Sequence, residues 1–227
     1  MIASLCWYPA TRPVWDRLWH SVRGHLGWGP EVLTWPDEPG SLWRQPDLVL
    51  SMTCALPMRL GLAREVTLVG SPVWDLPGLP QGHYASHLVM RVDDDRTVEA
   101  AASAGIAANA EDSQSGWGAL RDQSLNGPVI FTGSHAASMD AVASGQAHLA
   151  AIDVVTWAMA PRSDLTVRAT TPPTPSTPFI TGRPDWRAPV RAALEAAIND
   201  MSAEDRSTAR LIGVTDLPAG VYSKAVA

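Results

Sequence analysis

The sequence predicts an α/β fold of two lobes that are joined by two extended segments. Three features of the chain indicate this fold. Residues 105–153 alternate strand and helix patterns with short connections, which is typical of a parallel sheet covered by helices. The segment "HYASHLVMRV" before them is long for one strand and polar at both ends. The stretch "RATTPPTPSTPFITGR" after them is rich in proline, which excludes a helix and favours an extended crossing.

The first half of the chain predicts four strands and one long helix. The helix begins at Pro13, which suits a first turn, and ends at Gly27. Apolar residues between these two positions recur at helical spacing and form one face. The predicted strands are "IASLCW", "EVLTW", "DLVLS" and "VTLVG". The stretch "ALPMRLGLA" predicts a broken helix or turn, and a loop rich in proline and glycine follows the last strand.

The second half predicts a β-α-β-α-β unit and two terminal helices. The strands of the unit are "GIAAN", "VIFTG" and "HLAAI". Its helices run from Ser113 to Ser124 and from His135 to Ser144. An apolar stripe over residues 190–201 predicts the first terminal helix. Ser202 caps the second, with Asp205 at its third position.

The order of these elements predicts a discontinuous first lobe. Lobe 1 comprises residues 1–87 and 180–227, and lobe 2 comprises residues 88–179. Each lobe is expected to hold a mixed sheet flanked by helices. The two crossing strands, near residues 85–91 and 174–181, would then serve as a hinge.

Composition excludes several classes of protein. The 227 residues carry a net charge of −6, which gives no basic footprint for nucleic acid. The most apolar stretch, "AHLAAIDVVTWAMA", is too short to span a bilayer, so direct membrane insertion is not expected. The first residues, "MIASLCWYPATRP", lack the basic start and apolar run of a secretory signal. As written, the chain is expected in the cytoplasm, and in the periplasm if a leader precedes it.

Cysteine and histidine give no pattern of a metal site. Cys6 and Cys54 lie far apart, and no CxxC motif is present. The six histidines are scattered without the i, i+4 spacing used on helices. We therefore expect neither a metal ion nor a cofactor.

Polar residues follow three successive strands of the predicted β-α-β-α-β unit. Asn109 and the "DSQSG" loop follow the first strand, "GSH" ending at His135 follows the second, and Asp153 follows the third. Ligands of parallel α/β sheets bind at this edge, outside the carboxyl ends of the strands. The sequence therefore predicts a ligand site there.

The chemistry of these residues suits a tetrahedral oxyanion. The first turn of a helix offers free N–H groups and a partial positive charge. Ser113 and Ser115 add hydroxyl donors, and His135 adds a ring N–H at the next helix start. Two other interpretations stay open at this point. Ser113 can simply cap its helix, and Ser115, His135 and Asp153 also supply the ingredients of a hydrolase triad.

Six stretches of the chain together resemble one family of binding proteins. They are "DLVLSMTCALPM", "VTLVGSPVW", "GHYASHLVMR", "NAEDSQSGWGALR", "TGSHAASMDAVASGQAHLAAIDVVTW" and "PTPSTPFIT". In this order they resemble the PhnD-like phosphate/phosphite/phosphonate-binding proteins of ABC transporters, from about Asp47 to Thr181. The resemblance implies the type 2 periplasmic-binding fold, with two lobes that close on a small oxyanion. An ABC permease would be the partner of an exported form.

The resemblance also implies which residues contact the ligand. The serine-rich helix start matches Ser113, Gln114 and Ser115, and the "GSH" histidine matches His135. Asp153 matches the aspartate that often contacts an amine or polar tail. Contacts outside this edge are expected from the residues Tyr84, Thr53 and Tyr8. Gln114 departs from the family's Ser-Thr-Ser pattern because an amide replaces the middle hydroxyl.

A third class of function remains open because the same fold occurs in cytoplasmic enzymes. Menaquinone-pathway enzymes of this fold act on carboxylate-bearing metabolites derived from chorismate. They resemble this chain in fold more than in the six stretches quoted above. The binding protein, which needs no catalytic residue, is therefore the preferred hypothesis.

Overall fold

The computed structural model describes residues 1–218 and 220–222, and the chain divides into two compact units. Unit 1 comprises Met1–His83 and Pro175–Ala227, and unit 2 comprises Tyr84–Thr174. Each unit contains a five-stranded mixed sheet with helices. The predicted α/β class is therefore confirmed.

The strands and helices are short and alternate along most of the chain. The strands are β1 (Ile2–Ser4), β2 (Leu48–Met52), β3 (Thr67–Trp74), β4 (His83–Tyr84), β5 (Ser86–Arg91), β6 (Ile106–Ala108), β7 (Val129–Phe131), β8 (Leu149–Asp153), β9 (Leu165–Thr170), β10 (Thr174–Pro175), β11 (Phe179–Thr181) and β12 (Leu211–Thr215). The helices are α1 (Arg12–Leu26), α2 (Ala55–Arg59), α3 (Val98–Ala104), α4 (Ala119–Asp122), α5 (His135–Ala143), α6 (Val154–Met159), α7 (Arg187–Asp200) and α8 (Ala203–Ala209). None of the helices in these described residues has the length and apolarity that a membrane span requires.

The sheet of unit 1 has the strand order β1-β2-β11-β3-β12. β1 and β2 are parallel, whereas β11 is antiparallel to both of its neighbours. α1 buries the apolar face predicted for it, including Trp15 and Trp19, and packs against α7. It ends where Gly27 adopts the left-handed conformation, with φ 73°, and donates its N–H to the carbonyl of Arg23.

The sheet of unit 2 has the strand order β7-β6-β8-β5-β9. β6 is parallel to both β7 and β8, as the β-α-β-α-β pattern predicts, and β5 is antiparallel to β8 and β9. Alternate residues of β5 enter two different cores. Leu88 packs with α3 and α4 residues on one face, and Val89 packs with α5 residues on the other. Both faces of the sheet are therefore covered.

Two short strands lie where the chain passes between the units. β4 and β10 pair with each other in a two-stranded sheet. Of the segments predicted as crossings, residues 86–91 form β5 of the unit 2 sheet and residues 179–181 form β11 of the unit 1 sheet. The proline-rich return therefore forms strands and not a helix.

The structure differs from the predicted elements at several places. Residues 31–35, "EVLTW", form no strand: Val32 is 74% exposed, although Thr34 donates its N–H to the carbonyl of Ala3 in β1. The predicted helix from Ser113 begins as a π-helical turn and continues as the short α4. Four elements escaped the sequence analysis: α3, α6, β9 and β12. The sheet residues of β9 and β12 are mostly half-buried or exposed, which explains their weak apolar pattern.

Candidate functional site

Three adjacent strands of unit 2 bring the predicted site residues to one edge of its sheet. Asn109 directly follows β6, His135 opens α5 after β7, and Asp153 is the last residue of β8. The parallel pairing aligns these carboxyl ends. Gly133, with φ 88°, donates its N–H to the carbonyl of Asn109 at 2.9 Å, which joins the first two ends. The predicted convergence of these residues is thus present within the unit.

The serine-rich stretch forms a π-helical turn over Gln114–Gly118. The N–H of Gly118 donates to the carbonyl of Ser113 at 2.8 Å, which spans five residues. The side chain of Ser113 caps this turn by accepting from the N–H of Gly116 at 3.1 Å. Ser86 of β5 donates its hydroxyl to the carbonyl of Ser115 at 2.8 Å. These bonds fix the turn against the sheet.

Gly116 is necessary for the close approach of this turn to Asn109. A Cβ atom at position 116 would lie 1.8 Å from Oδ1 of Asn109 and 3.2 Å from Oγ of Ser113. No larger residue fits without moving the turn or the amide. Because residue 116 has no side chain, the turn can approach Asn109, and Ser113 and Ser115 lie close to the end of β6.

Ser115 and Asp153 both approach the same nitrogen of His135. The Nε2 atom lies 2.9 Å from Oγ of Ser115 and 3.3 Å from Oδ2 of Asp153. The side chains of His135 and Asp153 are 12% and 4% exposed. In a nucleophilic triad the serine and the aspartate use opposite ring nitrogens, so that Nε2 is free to take the serine proton. The arrangement here is not that of a triad.

The carboxylate of Asp153 also caps α6. Its Oδ1 atom accepts from the backbone N–H of Val155 at 3.1 Å and of Thr156 at 2.9 Å. Its Oδ2 atom accepts from the hydroxyl of Thr156. Asp153 therefore has a structural function in addition to its contact with His135.

The electrostatic environment favours a neutral His135. Burial lowers the pKa of His135 below its ordinary value, and the charge of Asp153 and a backbone contact with Ala151 offset this only in part. A carboxylate carries no proton, so its contact with Nε2 is favourable when that nitrogen holds the hydrogen. With the hydrogen on Nε2, Ser115 accepts at its oxygen, and its own O–H is not used in this contact.

Gln114 directs its amide along its own helix. Its Nε2 atom donates to Oδ2 of Asp122 at 3.3 Å, and the residue is buried. Gln114 stands where the resemblance implies the middle hydroxyl of a Ser-Thr-Ser pattern, and its amide donates to Asp122. The backbone N–H of Gln114 still lies at the start of the turn.

The other three predicted residues lie apart from this cluster along the chain. Tyr84 is buried at the end of β4 in unit 2. In unit 1, Thr53 follows β2 and Tyr8 follows β1, two parallel neighbours, so both lie beyond the carboxyl ends of their strands. Tyr8 stacks on Trp15 with ring centroids 5.8 Å apart. The Oγ1 atom of Thr53 is buried without a hydrogen-bond partner among the described residues.

Two grooves on unit 1 lie away from the predicted residues. One of about 280 Å³ is lined by α1, α7, α8 and the turn before α8, and one of about 350 Å³ is lined by α1 and α7. Neither contains a predicted site residue. The hydrogen-bonding groups of the unit 2 edge remain the better candidate site.

Two residues of this edge were not predicted from the sequence. Ser86 bonds Ser115, and Thr156 bonds Asp153. Their positions gave no signal in the sequence, because their roles depend on strand pairing and helix capping. Asn109, which the sequence did place at this edge, packs on Gly116.

A model of one protein family matches residues 63–219. The family is described as the periplasmic substrate-binding protein of phosphonate ABC transporters. The match includes the π-helical turn, His135 and Asp153. The chain belongs to this family. No curated protein sequence is significantly similar to this phosphonate-binding family member.

Solved structures of binding proteins share the fold of this family member. The PhnD1 protein of Prochlorococcus marinus in complex with methylphosphonate is 13% identical, with a TM-score of 0.68 over 97% of this chain and 93% of that chain. A binding protein component of an ABC phosphonate transporter from Pseudomonas aeruginosa is 12% identical, with a TM-score of 0.75 over 97% and 82%. MatC of Rhodopseudomonas palustris with bound malate is 14% identical, with a TM-score of 0.65 over 92% and 87%. The type 2 periplasmic-binding fold predicted from the resemblance is confirmed.

Two histidines should make this phosphonate-binding family member less stable in mild acid. Burial lowers the pKa of His135 and of His87 below 6.5, and the charge of Asp153 partly offsets both shifts. These two histidines bind protons more readily in the unfolded chain than in the folded one. The free energy of unfolding therefore has its full value above about pH 6.5 and falls as the pH decreases toward the pKa values of the folded protein. We expect a slope of at most about 1.4 kcal/mol per pH unit for each histidine.

Urea unfolding between pH 7.5 and 5.5 measures this slope. Carboxyl groups with a lowered pKa, such as Asp94 at about 2 beside Arg96, contribute little in this range, because they are ionised in both the folded and the unfolded chain. A variant with both His87→Gln and His135→Gln should lose most of the slope. An unchanged stability of the parent protein across this range would contradict the prediction.

Proposed function

We propose that this chain binds a small oxyanion, such as phosphate, phosphite or an organophosphonate, at the carboxyl edge of β6, β7 and β8. The observation that carries the proposal is the pairing of Ser115 with His135 at two adjacent helix starts. This pairing leaves the serine hydroxyl as a donor. Donors held in fixed positions at helix starts suit a tetrahedral anion.

Further donors of the same edge support this assignment. Ser113 accepts from Gly116 at its oxygen, so its hydroxyl hydrogen is available to a ligand. The backbone N–H groups at the start of the π-helical turn add the partial positive charge of a helix start. The resemblance to the family also predicts contacts from Tyr84, Thr53 and Tyr8, which stay predictions.

The family gives the biological setting of the proposal. Its members are periplasmic components of ABC transporters. We therefore propose the periplasm as the place of action and a permease as the partner that receives the ligand. The proposed function needs no cofactor. The enzyme alternatives are not favoured, because the family is one of binding proteins and the Ser115–His135–Asp153 contacts lack triad geometry.

Ser115→Ala tests the assignment of the oxyanion contacts. We expect this variant to bind methylphosphonate and inorganic phosphate about 1–2 kcal/mol more weakly, because a hydrogen bond to a charged group is lost. His135→Ala should weaken binding at least as much, since it removes the group that orients Ser115. Isothermal titration calorimetry measures both losses.

The matched control is Ser103→Ala, on the exposed face of α3. Its hydroxyl donates to the carbonyl of Glu99 within the helix, so its loss should leave anion binding unchanged. Equal affinities in Ser115→Ala, His135→Ala and the parent protein would remove the cluster from the binding site. Covalent labelling of Ser115 by a fluorophosphonate probe would instead favour a hydrolase.

A further inference from the structure

The carboxylate of Asp153 accepts three hydrogen bonds and contacts the ring of His135. Two backbone N–H groups of α6 donate to its Oδ1 atom. The hydroxyl of Thr156 donates to its Oδ2 atom, and Nε2 of His135 lies 3.3 Å from the same oxygen. A carboxylate has about four lone-pair positions; three accept these hydrogen bonds, and the imidazole ring lies against the remaining one. The side chain is only 4% exposed.

A ligand has poor access to a carboxylate that is buried and already in contact with these four groups. We propose that Asp153 positions His135 instead of contacting the ligand, and that the protein selects oxyanions without a cationic substituent. Inorganic phosphate, phosphite and short alkylphosphonates fit this class, whereas aminoalkylphosphonates do not. The inference rests on the proposed function, because it concerns the same site.

The contact with His135 explains how Asp153 acts on the site. The oxygen of Asp153 lies 3.3 Å from Nε2. The negative charge of this oxygen favours the tautomer of His135 that carries the hydrogen on Nε2. Ser115, 2.9 Å from the same atom, then accepts from it and directs its own hydrogen elsewhere. Among oxygen atoms, an anionic one is the strongest acceptor for this hydrogen. Asp153 thereby makes Ser115 a donor to an anion.

Other carboxylates near the turn offer no good partner for an ammonium group. Glu111 and Asp112, directly before Ser113, are exposed to solvent, where an ion pair contributes little. Asp122 accepts from the amide of Gln114. An ammonium group bound beside the turn would therefore lose its hydration without an equivalent contact.

Ethylphosphonate and 2-aminoethylphosphonate test the inference, because they differ by one amino group. We expect calorimetry on the parent protein to give at least about 10-fold tighter binding of ethylphosphonate. Equal or tighter binding of the aminoethyl compound would overturn the inference while leaving the proposed function intact. Absence of binding by both compounds and by inorganic phosphate would overturn the proposed function itself, and the inference with it.

Asp153→Asn separates positioning from direct contact. Asparagine keeps an oxygen to cap α6 but removes the negative charge beside Nε2. If Asp153 positions His135, both ligands should lose affinity by a similar factor. A loss confined to the aminoethyl compound would show direct contact and overturn the inference.

The tautomer of His135 gives a second measurement that needs no variant. Nitrogen-15 NMR of the free parent protein should show the hydrogen on Nε2 of His135, and Asp153→Asn should shift that ring toward the other tautomer. A ring protonated only on Nδ1 in the parent protein would contradict the positioning role.

Discussion

Gly127→Ala is expected to destabilise unit 2 by about 3 kcal/mol or more. A Cβ atom at this position would lie 1.9 Å from the carbonyl oxygen of Ala102 and 3.2 Å from the Cα atom of Ser103. Both neighbours are backbone atoms of α3, which cannot rotate away as a side chain would. The contact must therefore be relieved by moving the chain.

Movement at Gly127 would disturb the sheet as well. The carbonyl of the next residue, Pro128, accepts from the N–H of Ile106 at 2.8 Å, where β6 begins to pair with β7. The carbonyl of Ala102 accepts from Gly105 at the end of α3. Displacing either group breaks a hydrogen bond that is needed in the folded unit.

Gly24→Ala is the matched control for this substitution. Gly24 is exposed in the last turn of α1, and a Cβ atom there meets no atom within 4 Å. Alanine should therefore stabilise the protein by about 0.5–1 kcal/mol. Urea unfolding of the two variants should give opposite signs, and a Gly127→Ala variant as stable as the parent protein would contradict the packing argument.

Periodicity in the sequence predicted the elements that are repeated and well buried. The strands of the β-α-β-α-β unit are short apolar runs between helix signals, and β6 and β8 are buried throughout. In contrast, "EVLTW" has the same composition as a strand but forms none, although Thr34 donates one backbone hydrogen bond to Ala3 of β1. Strand pairing is a property of the folded chain, so an isolated apolar run cannot be distinguished from a strand by its sequence.

The sequence also predicted which side chains meet at the strand ends, but not what they do. Parallel strands necessarily bring Ser115, His135 and Asp153 to one edge. That Ser115 and Asp153 share one nitrogen of His135 follows from the π-helical turn and from the capping of α6. The position of the π-helical turn depends on the close approach of Gly116 to Asn109, and these two residues are not neighbours in sequence. These distances distinguish a Ser115 nucleophile from a Ser115 hydrogen-bond donor. The spacing of residues along the sequence does not give them.

Gly116→Ala is expected to weaken oxyanion binding by about 100-fold or more. The added Cβ atom would lie 1.8 Å from Oδ1 and 3.0 Å from Cγ of Asn109, so the turn must move. Gly116 also donates its N–H to Ser113 and directly follows Ser115. Loss of two charge-assisted hydrogen bonds, each about 1.5–3 kcal/mol, would exceed the roughly 2.7 kcal/mol that corresponds to 100-fold. Calorimetry with methylphosphonate measures the loss.

Gly118→Ala and a rescue variant make this expectation specific. A Cβ atom at position 118 would lie 3.2 Å from the carbonyl oxygen of Ser113, a tight contact that small movements relieve. We therefore expect the affinity for methylphosphonate to fall less than about 10-fold.

Adding Asn109→Ala to Gly116→Ala removes the obstructing amide, whose Oδ1 has no hydrogen-bond partner among the described residues. The turn can then return to its position, and binding should recover most of the lost affinity. If the double variant binds as weakly as Gly116→Ala alone, the approach of the turn to Asn109 is not what holds Ser115 in place.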